Sequence, residues 1–508
     1  MTGPGSLAWF ARHECRLVWR DFAGMVSAGR PARARIIAVL VLGLAAFLHL
    51  VAHGAMLGSG PVSTGDKATL VMFGGTGAMI LALMLSQALE SVTRAFYARA
   101  DLDLILASPA PAAALFAIRT GAVALAGALM AGLLAGPFID ALAWTHGAHW
   151  LSAYLVLFAF GAASTGIAVG VTVGLFRLIG PKRTRTVAQV IAAIVGASFV
   201  IIIQVASILL YGQISRVAAL RSSDTIAAAP DPGSLLWWPV RAAAGEPLPL
   251  AAVVAAGLAI LCLSVLLFAP KFGDYAVAAG ATASAGPVAR ERPLRPQRSP
   301  AAALRRKEWV LIGRDPWLLS QTLMQILYLV PPALLLWRNF GSGSSALLVL
   351  VPVLVMAAGQ LAGGLAWLTI SGEDAPDLVA TAPVSAGRVT LAKVEAVLVA
   401  VGAVVGPFLV AMMTVSGWHT LVAASGCAAA AGAATLIQFI FRTRARRSQF
   451  RRRQTASRLA TFAEAFSSIA WAATAALAAL GTWLAAGAAA VALAVLGIAW
   501  LLGPGRNA

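Results

Sequence analysis

The chain has 508 residues, of which 60% are apolar and only 11% charged, against roughly 25% charged in an ordinary soluble domain. That composition places it in the membrane class. Its 38 basic and 19 acidic residues leave a net charge of +19. The cations fall in the short connections between apolar runs, where membrane topology and anionic headgroups account for them, so no nucleic-acid partner is expected.

Ahead of the first apolar run, Arg12, His13, Arg16 and Arg20 fall on one face of an amphipathic helix, with Leu7, Phe10, Leu17, Val18 and Phe22 on the other. Such a helix lies along the membrane surface. Glu14 and Asp21, seven residues apart, project from the apolar side, where acyl chains make a carboxylate costly. Each acid is expected either to pair locally with an Arg or to face protein, at the ends of the spans or on a docked partner.

Runs of about 20 apolar residues, the length that crosses a hydrocarbon core, then begin near Ile36, Ala68, Thr120, Trp150, Val187 and Leu248. Between the second and third, Asp101, Leu102, Asp103, Leu104 and Ile105 predict a short interfacial helix stopped at Ser108-Pro109. Arg119 stands at the start of the third run, where its side chain can snorkel to the interface. Gly166, Gly170 and Gly174 share one face of the fourth span and predict close packing there. The stretch Tyr211 to Pro247 lies between the fifth and sixth runs, and its Leu235-Leu236-Trp237-Trp238 reads as an interfacial segment. Gly280 to Ala303 is rich in Ala, Pro and Arg with no apolar face, and reads as a cytoplasmic linker.

After the linker the pattern recurs. Arg306, Glu308, Arg314 and Asp315 repeat Arg12, Glu14, Arg20 and Asp21 at an offset of 294 residues. Asp377, Leu378 and Pro383 repeat Asp103, Leu104 and Pro109, with Lys393 in the place of Arg119, and Gly406-Pro407-Phe408 repeats Gly136-Pro137-Phe138. Apolar runs begin near Leu318, Ala346, Val394, Trp418, Phe462 and Ala485. The expectation is an internally duplicated, all-α polytopic membrane protein of about twelve spans in two parallel six-span repeats. The first half covers residues 1–275, the linker 276–303 and the second half 304–508.

The long basic segments, Arg12 to Arg35, Arg177 to Arg185 and Arg442 to Arg453, all fall on one side of this topology. Both termini are therefore expected in the cytoplasm, in a cell membrane of the bacterial inner-membrane type. No cleavable signal peptide is expected, because the first run is too long for one. Cys15, Cys262 and Cys427 stand singly, so neither a disulfide nor a metal framework is indicated. Within the spans, Gln189, Gln204, Gln325, Gln438 and Glu464 are candidates to line a translocation route or to hold helices together.

The helix at Arg12 to Asp21 and the segment Asp103 to Pro109, each with its second copy, resemble the permease subunits of type-2 ATP-binding-cassette exporters. The resemblance implies that the first element is a connecting helix and the second a coupling helix, through which a cytoplasmic ATPase pushes on the spans. This chain departs from the family in joining two six-span units. It has no Gly-x-x-x-x-Gly-Lys-Ser/Thr loop, so no cofactor is expected in it and ATP would be handled by the partner ATPase. No His-Glu-x-x-His or Gly-x-Ser-x-Gly motif points to an enzyme. The expected function is a permease that moves a substrate across the lipid bilayer. The alternatives are a twelve-span secondary transporter and a non-transporting membrane assembly protein.

Overall fold

The computed structural model describes residues 31–57, 62–97, 111–211, 219–275, 299–314, 345–371, 376–441 and 458–503, with a few isolated positions besides. Glu14, Arg20, Asp21, Asp103, Leu104, Pro109, Asp315 and Gln325 lie outside the described residues, as do the side chains of Arg314 and Asp377.

Every described element is helical. The long helices follow from the apolar runs, because in hydrocarbon a chain must satisfy its backbone internally. In order they are α1 (Pro31–Leu57), α2 (Lys67–Tyr97), α3 (Ala112–His146), α4 (Ala153–Ile179) and α5 (Pro181–Tyr211). The short α6 (Ser223–Ala228) and α7 (Trp238–Ala243) precede α8 (Pro247–Phe268). After the linker come α9 (Pro300–Arg314), α10 (Ser345–Ser371), the short α11 (Pro376–Thr381), α12 (Ala386–Met413), α13 (Gly417–Ile440), α14 (Arg458–Ala479) and α15 (Leu484–Leu502).

Ten helices among the described residues are long and apolar enough to cross a membrane, which makes this a multi-pass membrane protein. They are α2 to α5, α8, α10 and α12 to α15, some with short extensions. Of the other two expected spans, α1 forms a helix, and the run from Leu318 falls largely outside the described residues. The chain divides into two compact units: Met1–Ser207 with Ser215–Val288, and Ile208–Ile214 with Ala289–Ala508.

In the first unit α4 is the central helix, packed against α2, α3 and α8. Glycines let the backbones approach. A Cβ on Gly161 would lie 2.6 Å from the Ala124 carbonyl of α3, and one on Gly257 of α8 would lie 2.5 Å from the Ala159 carbonyl of α4. Of the three glycines expected to pack α4, only Gly166 does so, against Ile260; Gly170 and Gly174 face open space. Spacing alone does not say which side of the helix meets a neighbour.

Residues 219–246, between α5 and α8, fold as a cap on the start of α2. Trp237 is buried beside Leu70, Val71 and Val240, its indole N–H donates to the Pro230 carbonyl at 3.2 Å, and its ring sits over Gly74, where a Cβ would meet it at 2.7 Å. Leu235 and Leu236 remain exposed.

In the second unit α10 and α13 form the centre, with α12 and α14 beside them. Leu350, Val351, Leu354, Val355, Ala358 and Ala362 of α10 supply the middle of the core. Gly481 ends α14 with φ of 70°, a conformation that favours glycine. Its N–H bonds the Ala478 carbonyl, and Thr482 N–H bonds the Leu477 carbonyl. Pro137 and Pro407, from the repeated Gly-Pro-Phe motif, lie inside α3 and α12.

Candidate functional site

Helix α9 turns inward the face that holds Leu304, Glu308, Leu311 and Ile312, burying Glu308 and half-burying the other three, and it leaves Arg306, Trp309 and Val310 exposed. Leu311 and Ile312 pack onto the core of the second unit. Glu308 shares their face, as the 3.6-residue period dictates, and is completely buried. It faces protein.

Its partner is Lys393, from two turns inside α12. The Lys393 ammonium lies 3.1 Å from Glu308 Oε1 and donates to Oε2 at 3.3 Å. It donates also to the Thr369 carbonyl near the end of α10. Lys307, beside Glu308 on α9, lies 3.0 Å from Glu308 Oε1 and donates to Glu373, just beyond α10. Glu373 in turn is 3.6 Å from Lys393. The contacts to Oε1 are ion-pair contacts without hydrogen-bond alignment; the aligned bond of Glu308 is the one to Oε2. Two ammonium groups and two carboxylates thus form a closed, neutral cluster. Burial would by itself lower the pKa of Lys307, but the hydrogen bond to Glu373 and the charge of Glu308 outweigh it and hold Lys307 above the ordinary lysine value. Around the rim, Arg305 Nε donates to Glu395 of α12 at 2.8 Å.

The sequence places Lys393 at a membrane interface, snorkelling; the structure buries it. The reason is the helix start. α12 begins at Ala386, before the apolar run, so Lys393 enters the bundle, and with two carboxylates to neutralise it the burial is supportable. The signal was present as two charges on apolar faces, Glu308 and Lys393, each of which required the other.

Between Glu373 and the start of α12 lies the short α11, which begins at Pro376 and ends before Pro383, where the sequence predicts it. Leu378 on it is 73% exposed. The charged cluster therefore joins α9 to the two spans that flank this segment.

Of the span residues singled out in the sequence, Gln438 and Glu464 come together, with Gln438 Nε2 donating to Glu464 Oε2 at 2.7 Å. Gln189 is buried with its Oε1 unpartnered among the described residues, and Gln204 is half-buried. Sequence reasoning missed a polar cluster in the first unit. There Asp140 of α3 accepts from Tyr154 Oη at 2.8 Å and lies 3.1 Å from Nε2 of His49 in α1. Arg12 is exposed. No group of residues able to hold a metal ion occurs among the described residues.

No protein-family model, curated protein or solved structure matches the chain.

Proposed function

We propose that the chain is the membrane permease of an ATP-binding-cassette exporter, moving a substrate across the bilayer under the drive of a separate cytoplasmic ATPase. The observation that carries this reading is the buried cluster of Lys307, Glu308, Glu373 and Lys393. A transmission element has to link a surface helix rigidly to more than one span while leaving a short segment free for the motor. The cluster does the first for α9, α10 and α12, and α11 with its exposed Leu378 suits the second. On this reading α9 is the connecting helix and α11 the coupling helix. Both face the cytoplasm, together with the chain termini, and ATP is bound by the partner alone.

The test is co-expression with any Walker-motif ATPase that a neighbouring gene encodes. The expected result is a detergent-stable complex whose ATP hydrolysis is required for transport in proteoliposomes. Recovery of the chain alone, with counterflow driven by an ion gradient in the absence of any ATPase, overturns the reading in favour of a secondary transporter. One observation favours that second reading, the carboxyl group of Glu464 buried among the spans.

A further inference from the structure

Glu464 takes no part in the charged cluster. It stands in α14, six residues from the start of that helix and so about 9 Å along it. Its carboxyl rests on the backbone of α10 at Gly363, so closely that a Cβ there would overlap it. One turn further along α14, Ser468 stands against Gly359 in the same way. Gly359 and Gly363 thus form a notch that Glu464 and Ser468 fill, and Gln438 of α13 closes the remaining side. The hydroxyls of Ser467 and Ser468 are completely buried and unpartnered among the described residues.

Among the described residues no counter-charge faces this site from the helices packed on α14; the basic segment Arg442 to Arg453 and the side chain of Arg458 lie outside them. α10 and α15 contain no titratable side chain. α13 has only His419 and Cys427, both about three turns or more from Gln438. Glu464 makes no ion pair among the described residues. A carboxylate in an apolar medium needs a cation or several donors, and a single amide N–H does not supply them. A metal ion is no remedy, because the carboxyl already occupies the space at Gly363. A proton needs no added volume.

We propose that Glu464, held by Gln438 in the notch of Gly359 and Gly363, is a reversible proton-binding site inside the second unit. With the proton bound, α10 and α14 stay in close contact. Its release leaves a charge pressed against the α10 backbone and favours their separation. Because Thr369, near the end of α10, holds Lys393 through its carbonyl, proton occupancy is passed to the cluster at α9. The site stands whether or not an ATPase drives the chain.

Dicyclohexylcarbodiimide tests this on the full chain in phospholipid vesicles. This apolar reagent attacks only the acid form. The carboxyl proton passes to a carbodiimide nitrogen, the oxygen bonds the central carbon, and acyl migration to nitrogen leaves a stable N-acylurea with nothing lost. Peptide mass spectrometry should find the adduct on Glu464, its rate falling roughly tenfold per pH unit above the titration midpoint. Glu464→Gln, which mimics the neutral acid, should abolish the adduct and keep the thermal unfolding temperature. Three results would each overturn the proposal: no adduct on Glu464 at any pH from mildly acidic to mildly alkaline, protection by sodium ions at constant pH, or a large fall in unfolding temperature in Glu464→Gln.

Discussion

In the first unit α2 carries Ser86 and Glu90, four residues apart, and meets α5 where Ser86 Oγ donates to the Ala192 carbonyl at 2.6 Å. In the second unit α10 offers Gly359 and Gly363 at the same spacing, and the polar pair, Glu464 and Ser468, sits on α14 instead. Each unit thus places a hydroxyl where these two helices meet, but on opposite members of the pair. Close approach of two spans requires small groups on one side and leaves the other free to carry polar ones. Which helix takes which role is not fixed by the packing.

The connections differ too. The first unit spends residues 219–246 on a folded cap over α2, anchored by Trp237; the second joins α14 to α15 by a tight turn at Gly481. The two units need not contribute equally.

The largest expected effect comes from breaking the second unit's charged cluster. Glu308→Ala leaves Lys393 buried with the Thr369 carbonyl and, for a counter-charge, only the 3.6 Å contact to Glu373, and should cost about 3 to 5 kcal/mol. Thermal unfolding in detergent measures it. Adding Lys393→Met should recover most of the loss, because a pair of neutral groups needs no compensation. If the double variant is no better than the single one, Glu308 acts through packing and not charge. Lys307, whose pKa is raised, stabilises fully below its unfolded value near 10.4 and loses that contribution as pH climbs through the higher folded value. The contribution of Lys307 should therefore be insensitive to pH through the neutral range.

Trp237→Ala tests the other side of the comparison. Loss of a buried Trp costs about 3 kcal/mol or more, but here the damage should stay within the cap. Limited proteolysis should then cut between residues 219 and 246, while α2 to α4 remain protected. Unfolding of the whole unit would show instead that the cap is part of its core.

Gly363→Ala should cost about 1 to 3 kcal/mol by overpacking, since its Cβ overlaps the Glu464 carboxyl. In a Glu464→Ala background the same change should be nearly neutral. Equal costs in both backgrounds would deny the notch.

The helical architecture was legible because it depends on run length and composition, both local properties. Ten of the expected runs became span-length helices, most of them starting within a turn or so of the expected residue. The exceptions are α3, α5 and α12, which begin about two turns early. Charges near Arg119 and Lys393 marked the end of the apolar run but not of the helix. The face of α9 that buries Glu308 was legible from its period. The further partners of the two lysines were not, since Glu373 and Thr369 come from another helix end whose approach no one-dimensional pattern encodes. Gln438 and Glu464 were each visible as polar residues in apolar runs. Their pairing depends on Gly359 and Gly363, two glycines among the 48 of the chain.

The smallest effect on the chain itself is expected from Asp377→Asn. It lies on α11 beside Leu378, which is exposed, so removal of its charge should change stability by no more than about 0.5 kcal/mol. If α11 docks into an ATPase, the same carboxylate becomes part of an interface, where losing one member of a desolvated pair costs about 2 to 5 kcal/mol. That is a weakening of assembly by roughly tens- to thousands-fold. Asp103→Asn, its counterpart in the first half, sharpens the comparison. Pull-down of the ATPase by each single variant and by the double variant ranks the two coupling segments. An equal loss from both says that the motor grips the units alike, and a loss from Asp377→Asn alone says that force enters through the second. Undiminished association and transport in the double variant would remove the coupling role from both segments, leaving the charged cluster as a structural brace.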